Sequence, residues 1–179
     1  MIKLHLGCGK RDFGSDWIHI DGGDYPHLYS KSITELPFDE NCVDLIYSSH
    51  NLEYFDRQEV NIVLNEWFRV LKPGGILRIA VPDFETMSKL YVLGEYNLES
   101  FLGPLYGKMK MGDIFIYHKT CYDYISLKTL LLNCGFGNVR KYDWRLTEHA
   151  EFDDHSQSYL PHMDKTNGVL LSLNIECEK

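Results

Sequence analysis

The chain has 179 residues, 44% of them hydrophobic, which is the size and apolar content of one domain with a substantial core. Lys and Arg number 18 against 26 Asp and Glu, a formal charge of −8, and so acidic a surface argues against nucleic acid as a bulk partner, because that affinity depends on neutralising phosphates. The scattered Cys8, Cys42, Cys121, Cys134 and Cys177 form no C-x-x-C pair, which argues against a disulfide framework or a zinc ribbon and for free thiols in a reducing cytoplasm. Lys3, Lys10, Arg11 and Asp12 leave no early apolar run, so neither a signal peptide nor a membrane-spanning segment is expected.

Residues 2–6 and 17–21 read as strands. The first runs into Gly7-Cys8-Gly9, and the second ends at Asp21, twelve positions beyond Gly9. A glycine turn lets a ligand approach the backbone closely, and an acid at the next strand's end can accept hydrogen bonds from ribose hydroxyls. The spacing does not suit NAD. The third glycine of G-x-G-x-x-G would fall at Asp12, and the acid comes well short of the roughly 20 residues that NAD binding uses. No G-x-x-x-x-G-K-[ST] loop is present either, so a nucleoside ligand without a pyrophosphate fits better than a nucleotide triphosphate. The seven residues 10–16 between Gly9 and Trp17 are too few for a crossover helix, which predicts one tight helical turn or an irregular loop.

Residues 43–50 form a third strand that runs from apolar to polar, its carboxyl end facing the ligand crevice. Asp56 and Glu59 make a capping-box pattern, and Val60, Val63, Leu64, Trp67, Phe68 and Leu71 follow at helical spacing. Trp67 is therefore read as core. Pro73-Gly74-Gly75 predicts a turn, and residues 76–81 a strand. Pro82-Asp83 opens a helix with Phe84, Met87 and Leu90 as its apolar positions, and Asp83 is either its N-cap or an acceptor contact.

From residue 94 to 121 the core pattern fades. Long segments of that kind are uncommon in compact domains and often serve as lids, so residues 94–122 are expected to be a lid or acceptor-binding insertion within a single domain, 1–179. Residues 126–134 restore a helix closed by Gly135, followed by a strand around 139–142. The last strand alternates, with Leu171, Leu173, Ile175 and Cys177 on one face and Ser172, Asn174 and Glu176 on the other, which suggests an antiparallel edge. The alternation of strands and helices implies an α/β sheet with ligands at the strands' carboxyl ends.

Several polar groups remain. His50, at a strand end, is either a base or a cap for the helix that follows, and His118, in Tyr117-His118-Lys119, is either a base or a packing residue. The tail residues Glu148, His149, Glu151, Asp153, Asp154, His155, His162 and Asp164 are either a solvated loop or a polar-acceptor site. Without an H-x-x-x-H or a cysteine pair, no metal is expected there.

Leu6-Gly7-Cys8-Gly9, Trp17-Ile18-His19-Ile20-Asp21, Leu36-Pro37-Phe38, Ser49-His50-Asn51-Leu52-Glu53 and Glu66-Trp67-Phe68-Arg69-Val70-Leu71-Lys72-Pro73-Gly74-Gly75 together resemble the class I S-adenosylmethionine-dependent methyltransferases. The likeness is close over residues 4–83. Gly135-Phe136 and the tail look like a small, poorly characterised bacterial branch related to the type 11 methyltransferase domain. The resemblance implies a Rossmann-like three-layer sandwich whose sheet is mostly parallel with an antiparallel last strand, lacking helices before the first strand. It also implies S-adenosyl-L-methionine as cofactor and S-adenosyl-L-homocysteine as product.

Carried onto this sequence, the resemblance places Gly7, Cys8 and Gly9 along the methionine moiety, Asp21 on the ribose and Ser32 and Ile33 beside the adenine. Ser48, Ser49 and His50 would lie beneath the sulfonium. Ser32 stands where many relatives carry Asp, a stronger acceptor for the adenine amino group. The expected reaction is methyl transfer to an oxygen or nitrogen of a small polar, metabolite-like or sugar-like acceptor, with His50, His118, Asp154 and His155 as candidate bases. Two rival readings are a catalytically silent S-adenosylmethionine-binding partner subunit and another nucleoside-dependent transferase, such as an aminopropyl transferase.

Overall fold

The computed structural model describes all 179 residues. Four short segments set up the first half of the sheet: β1 (Lys3–Leu6), β2 (Ile18–Ile20), β3 (Leu28–Ser30) and β4 (Val43–Ser49). Between β1 and β2 the chain makes turns and no helix, as the short spacing requires. Helix α1 (Glu59–Val70) begins at the expected reciprocal cap: the Asp56 carboxylate accepts the Glu59 N–H at 2.9 Å, and the Glu59 carboxylate accepts the Asp56 N–H at 2.8 Å.

Strand β5 (Leu71–Pro82) starts directly after α1 and contains the expected Pro73-Gly74-Gly75 turn as a bulge, because Val43 pairs with Leu71 and Leu45 already pairs with Ile76. Helix α2 (Phe84–Val92) follows. The region expected to lack structure carries short elements of its own: one 3-10 turn (Leu98–Phe101), α3 (Leu102–Tyr106) and an antiparallel hairpin of β6 (Met109–Met111) and β7 (Ile114–Ile116). Two- and three-residue spacings of this kind leave no periodic pattern in a sequence. Helix α4 (Tyr124–Asn133), β8 (Gly137–Lys141), the small pair β9 (Tyr159–Leu160) and β10 (Val169–Leu170), and β11 (Ser172–Glu178) complete the chain.

The main sheet has seven strands in the order β3-β2-β1-β4-β5-β11-β8, parallel throughout except for β11. β11 is antiparallel to both β5 and β8, so it lies one strand in from the edge, which β8 forms. Its polar face is buried as well, Ser172, Asn174 and Glu176 being at most 8% exposed. An alternating strand therefore marks a polar covering layer here and not an open flank.

One face of the sheet presents Leu4, Leu6, Ile20, Ile46, Leu77, Ile79, Leu173 and Ile175 to Val63, Leu64 and Trp67 of α1 and to Leu127 and Leu131 of α4, a single continuous core. Burying each such side chain is worth roughly 1.5–3 kcal/mol. The opposite face is covered by loops instead of helices. There Phe13 and Trp17 pack on Leu45 and Tyr47, and the tail adds His149 and Phe152 to the stack on Phe13. The expected third layer is thus made by the 10–17 loop and the tail, with Arg78 paired to Glu148 and Glu176 and Asn174 donating to the Ser156 carbonyl beneath it. No helix of the structure is long and apolar enough to cross a membrane.

Candidate functional site

The crevice opens at the carboxyl ends of β1, β2 and β4, where the glycine turn meets Asp21. Gly7 and Gly9 both have positive φ, +67° and +57°. A Cβ on Gly7 would lie 2.0 Å from the Asn51 side chain, so Asn51 demands that glycine. Asn51 had no role in the sequence reading. Its amide donates to the Leu6 and Ser49 carbonyls at 3.2 and 2.9 Å and ties the turn to the end of β4. Gly9, by contrast, faces open space.

Asp21 accepts the Gly9 N–H at 2.8 Å on one carboxylate oxygen and the Gly23 N–H at 2.7 Å on the other. Each oxygen keeps a lone pair for a further donor. Cys8 points away from the crevice. The whole residue is 1% exposed, its thiol lies 3.7 Å from His27 and is pushed up to about 12 by burial and then by the Asp21 charge, so Cys8, expected along the methionine moiety, is a packing residue beneath the turn and does not line the crevice.

Two cavities join in this crevice, sharing Gly7, Asp21, Asn51, Tyr54 and Met109. The first, about 570 Å³, runs past Gly22, Ser32, Ile33 and Phe55 and is roofed by Met111, Phe115 and Ile116 of the hairpin. Its back wall hangs from α1: the Trp67 indole donates to the Ile33 carbonyl at 2.7 Å, Glu66 accepts the Leu36 N–H at 2.7 Å, and Arg69 donates to the Phe38 carbonyl at 2.9 Å. Ser32 accepts the Glu35 N–H at 3.1 Å and lies 3.2 Å from the Thr34 hydroxyl.

The second cavity, about 400 Å³, is lined by Gly9, Arg11, Ser49, His50, Ser100, His118, His155, Ser158, Tyr159 and His162 among others. It brings residues 100–118 and 155–162 face to face. His50 sits at positive φ, +53°, directly after β4, with Nε2 3.1 Å from the Ser172 hydroxyl and Nδ1 3.6 Å from Glu53 Oε1. His118 holds Nδ1 2.9 Å from the Pro104 carbonyl and Nε2 3.8 Å from the same Glu53 oxygen. The His155 ring lies 5.1 Å from that of His50. Burial lowers the pKa of all three imidazoles, so each is a neutral base near neutral pH. Arg11 donates from Nε to the Asp153 carbonyl at 2.8 Å, and its guanidinium pairs with no carboxylate.

Three further expected site residues fall elsewhere. Asp154 is 4% exposed and committed to structure, accepting from the Tyr47 hydroxyl at 2.5 Å and the Ser156 N–H at 2.8 Å on the far face of the sheet. It is not available as a base. Ser48 is buried and donates to the Leu6 carbonyl at 3.1 Å, while Ser49 next to it lines the cavity with a buried hydroxyl that has no partner. Asp83 is the N-cap of α2, accepting the Glu85 N–H at 3.1 Å and the Thr86 hydroxyl at 2.8 Å. Of the tail groups, His155 and His162 face the cavity, whereas Glu148 and His149 serve the covered sheet face.

Residues 14–79 match the family described as methyltransferase domain. A ubiquinone/menaquinone biosynthesis C-methyltransferase of Blochmanniella pennsylvanica is 32% identical over 152 residues, 78% of this chain and 54% of that protein. The chain spans about half the length of the curated relatives it matches. Among solved structures, an S-adenosylmethionine-dependent methyltransferase of Archaeoglobus fulgidus aligns with a TM-score of 0.59 at 15% identity, covering 99% of this chain and 85% of that one. The 1,6-didemethyltoxoflavin-N1-methyltransferase of Burkholderia thailandensis, solved with S-adenosylhomocysteine, aligns at 0.57 and 13% identity over 99% and 70%. The fold is that of S-adenosylmethionine-dependent methyltransferases of known structure, and residues 14–79 match the methyltransferase-domain family.

Proposed function

We propose that this protein transfers the methyl group of S-adenosylmethionine to an oxygen or nitrogen of a small polar acceptor bound among His50, His118 and His155. The observation that carries this reading is the continuity of the two cavities through Gly7, Asp21 and Asn51, which sets the chamber of Ser32, Ile33 and Phe55 beside an imidazole-lined one. The residues present fit the cofactor. Gly9 leaves backbone open beside the turn, Asp21 keeps lone pairs for ribose hydroxyls, and the buried Ser49 hydroxyl lacks a partner.

In this reading Ile33, Phe55 and Phe115 enclose the adenine, Ser32 accepts from its amino group, and the free guanidinium of Arg11 takes the cofactor's carboxylate. The bound cofactor supplies an electrophilic methyl group on a sulfonium. The protein must then hold the acceptor in line with that methyl group, exclude water, and remove the acceptor's proton. Neutral imidazoles at His50, His118 and His155 suit the last task. The hairpin and the tail supply the walls that exclude water.

Cofactor binding is tested by calorimetry with S-adenosylhomocysteine, and acceptor identity by native mass spectrometry of what co-purifies, followed by a methyl-transfer assay on it. That assay includes carbon acceptors, since the Blochmanniella relative is named a C-methyltransferase. Failure to bind S-adenosylhomocysteine refutes the reading, and tight binding without transfer to any co-purified compound favours a silent partner subunit. The five free cysteines suit a reducing compartment such as the cytoplasm.

A further inference from the structure

Glu53 is fully buried, and neither of its carboxylate oxygens has a hydrogen-bond partner. The groups beside it are two histidines whose hydrogens can be assigned from their other contacts. Asn174 donates through Nδ2 to the Ser156 carbonyl, which leaves its amide oxygen to accept from the Ser172 hydroxyl; Ser172 must therefore accept from His50, placing the hydrogen of His50 on Nε2. The Pro104 carbonyl can only accept, which places the hydrogen of His118 on Nδ1. The bare nitrogens are then His50 Nδ1 and His118 Nε2, and these are the two that face Glu53 Oε1, at 3.6 and 3.8 Å. An ionised Glu53 would put a charge and two lone pairs together in a dry corner with no hydrogen among them.

We propose that Glu53 is a positioning residue for the base: a protonated carboxyl that supplies the one shared hydrogen of this corner and so matches the ring states that Ser172 and the Pro104 carbonyl set on His50 and His118. Resting on the methyl-transfer reading, this gives the acceptor's proton a defined destination. As the bond from the acceptor heteroatom to the methyl carbon forms and the sulfur–carbon bond breaks, the heteroatom–hydrogen bond breaks and its proton passes to an imidazole of the second chamber, among which Glu53 keeps His50 and His118 free of a neighbouring negative charge. The heteroatom keeps the electron pair of that bond, and sulfur keeps the pair of the bond it loses.

Burial supports the protonated state, holding the Glu53 carboxyl up at about 8. The other titratable groups around it do not reverse this. Tyr54 and Tyr122 stand near as neutral phenols raised by burial, His155 and Arg11 act on the histidines, and Lys119 pairs with Glu59 while only its backbone N–H reaches the Glu53 carbonyl.

The test uses the protein without cofactor, with the Glu53 side-chain carboxyl and the histidine rings followed by carbon and nitrogen NMR across pH. The expected result is a Glu53 midpoint near 8, His50 as the Nε2–H form and His118 as the Nδ1–H form, with an alkaline inflection in both ring signals. E53Q copies the shape of the neutral carboxyl, so it should keep both ring forms and lose that inflection. Because the native state holds a proton that the unfolded chain releases above the ordinary carboxylate range, native stability falls as pH rises toward 8, and the melting temperature of E53Q should exceed the native value increasingly from pH 5 to pH 8.5. A Glu53 midpoint in the ordinary carboxylate range, or an unchanged inflection in E53Q, overturns the proposal. So does zinc or manganese binding that E53Q abolishes, since an ion would then occupy the place given to the proton. None of these readouts needs the cofactor, so a failure of S-adenosylhomocysteine binding strikes the methyl-transfer reading alone.

Discussion

The indole N–H of Trp67, on the buried face of α1, donates at 2.7 Å to the carbonyl of Ile33, a residue of the nucleoside chamber. A side chain that packs the core thereby also fixes the height of the loop against which the adenine would lie. Burial and positioning are separable in this residue because the ring does one and the nitrogen the other.

Trp67→Phe should keep most of the packing and release Ile33. Losing one hydrogen bond of about 0.5–1.5 kcal/mol predicts a roughly two- to twelvefold loss of S-adenosylhomocysteine affinity and a similar loss of stability. Calorimetry and urea unfolding measure the two. Unchanged affinity with lowered stability would mean that Glu66 and Arg69 hold the loop unaided.

Asp21→Ala removes the acceptor of two backbone N–H groups along with the proposed ribose contact. A lost charged hydrogen bond costs about 1.5–3 kcal/mol, so affinity should fall roughly ten- to a hundredfold, with stability falling as well. Asp21→Asn, which keeps one acceptor oxygen, should lie between. A native affinity in Asp21→Ala would remove this residue from the site.

For Ser32→Asp the expected change is tighter binding of S-adenosylhomocysteine. A carboxylate can still accept the Glu35 N–H that Ser32 accepts now, and it offers an ionised acceptor to the adenine amino group. Weaker binding in a variant of native stability would show that the Ser32 side chain does not face that group.

Acid should loosen the loop-covered face of the sheet first. Burial holds His149 down at about 4 and His5 well below its ordinary value, and one ring nitrogen of each has no partner. The unfolded chain takes up protons near pH 6.5 that the folded chain refuses, so stability is full above that value and is lost as pH falls from it toward about 4. Melting temperature measured across pH should show this slope, and His149→Gln should flatten it. A slope unaltered in that variant would assign the acid sensitivity to other groups.

Hydrogen exchange of residues 109–116 should slow when S-adenosylhomocysteine fills the first chamber, because Met111, Phe115 and Ile116 form its roof. Protection confined to residues 155–162 would place the ligand in the second chamber instead.

How much of this was legible in the sequence follows from how far apart the interacting residues lie. The turn at Gly7-Cys8-Gly9, the acid at Asp21, the Asp56–Glu59 cap and the antiparallel last strand are local patterns, and each reads directly from spacing. Trp67 was legible as core from its helical position, but its bond to Ile33 spans 34 positions and leaves no periodic trace. Asp154 looked like a base from its neighbours His155 and Asp153, yet its partner is Tyr47, 107 positions away on the covered face. Glu53 was visible within Ser49-His50-Asn51-Leu52-Glu53 without its role, since only the fold brings His118 to it. The hairpin of β6 and β7 escaped because its strands are three residues each.

The loop layer that replaces helices over Tyr47 also supplies, through His155, Tyr159 and His162, one side of the second chamber. Ordering that segment and occupying that chamber are therefore linked equilibria. An occupant that touches His155 makes opening of the whole layer costlier by the free energy with which it binds, so Tyr47, which never meets it, becomes a reporter of it. The converse follows by reciprocity. Tyr47→Phe, which cuts the sheet's tie to Asp154 of the layer, should weaken binding at a site it does not touch, a built-in lever between core and ligand.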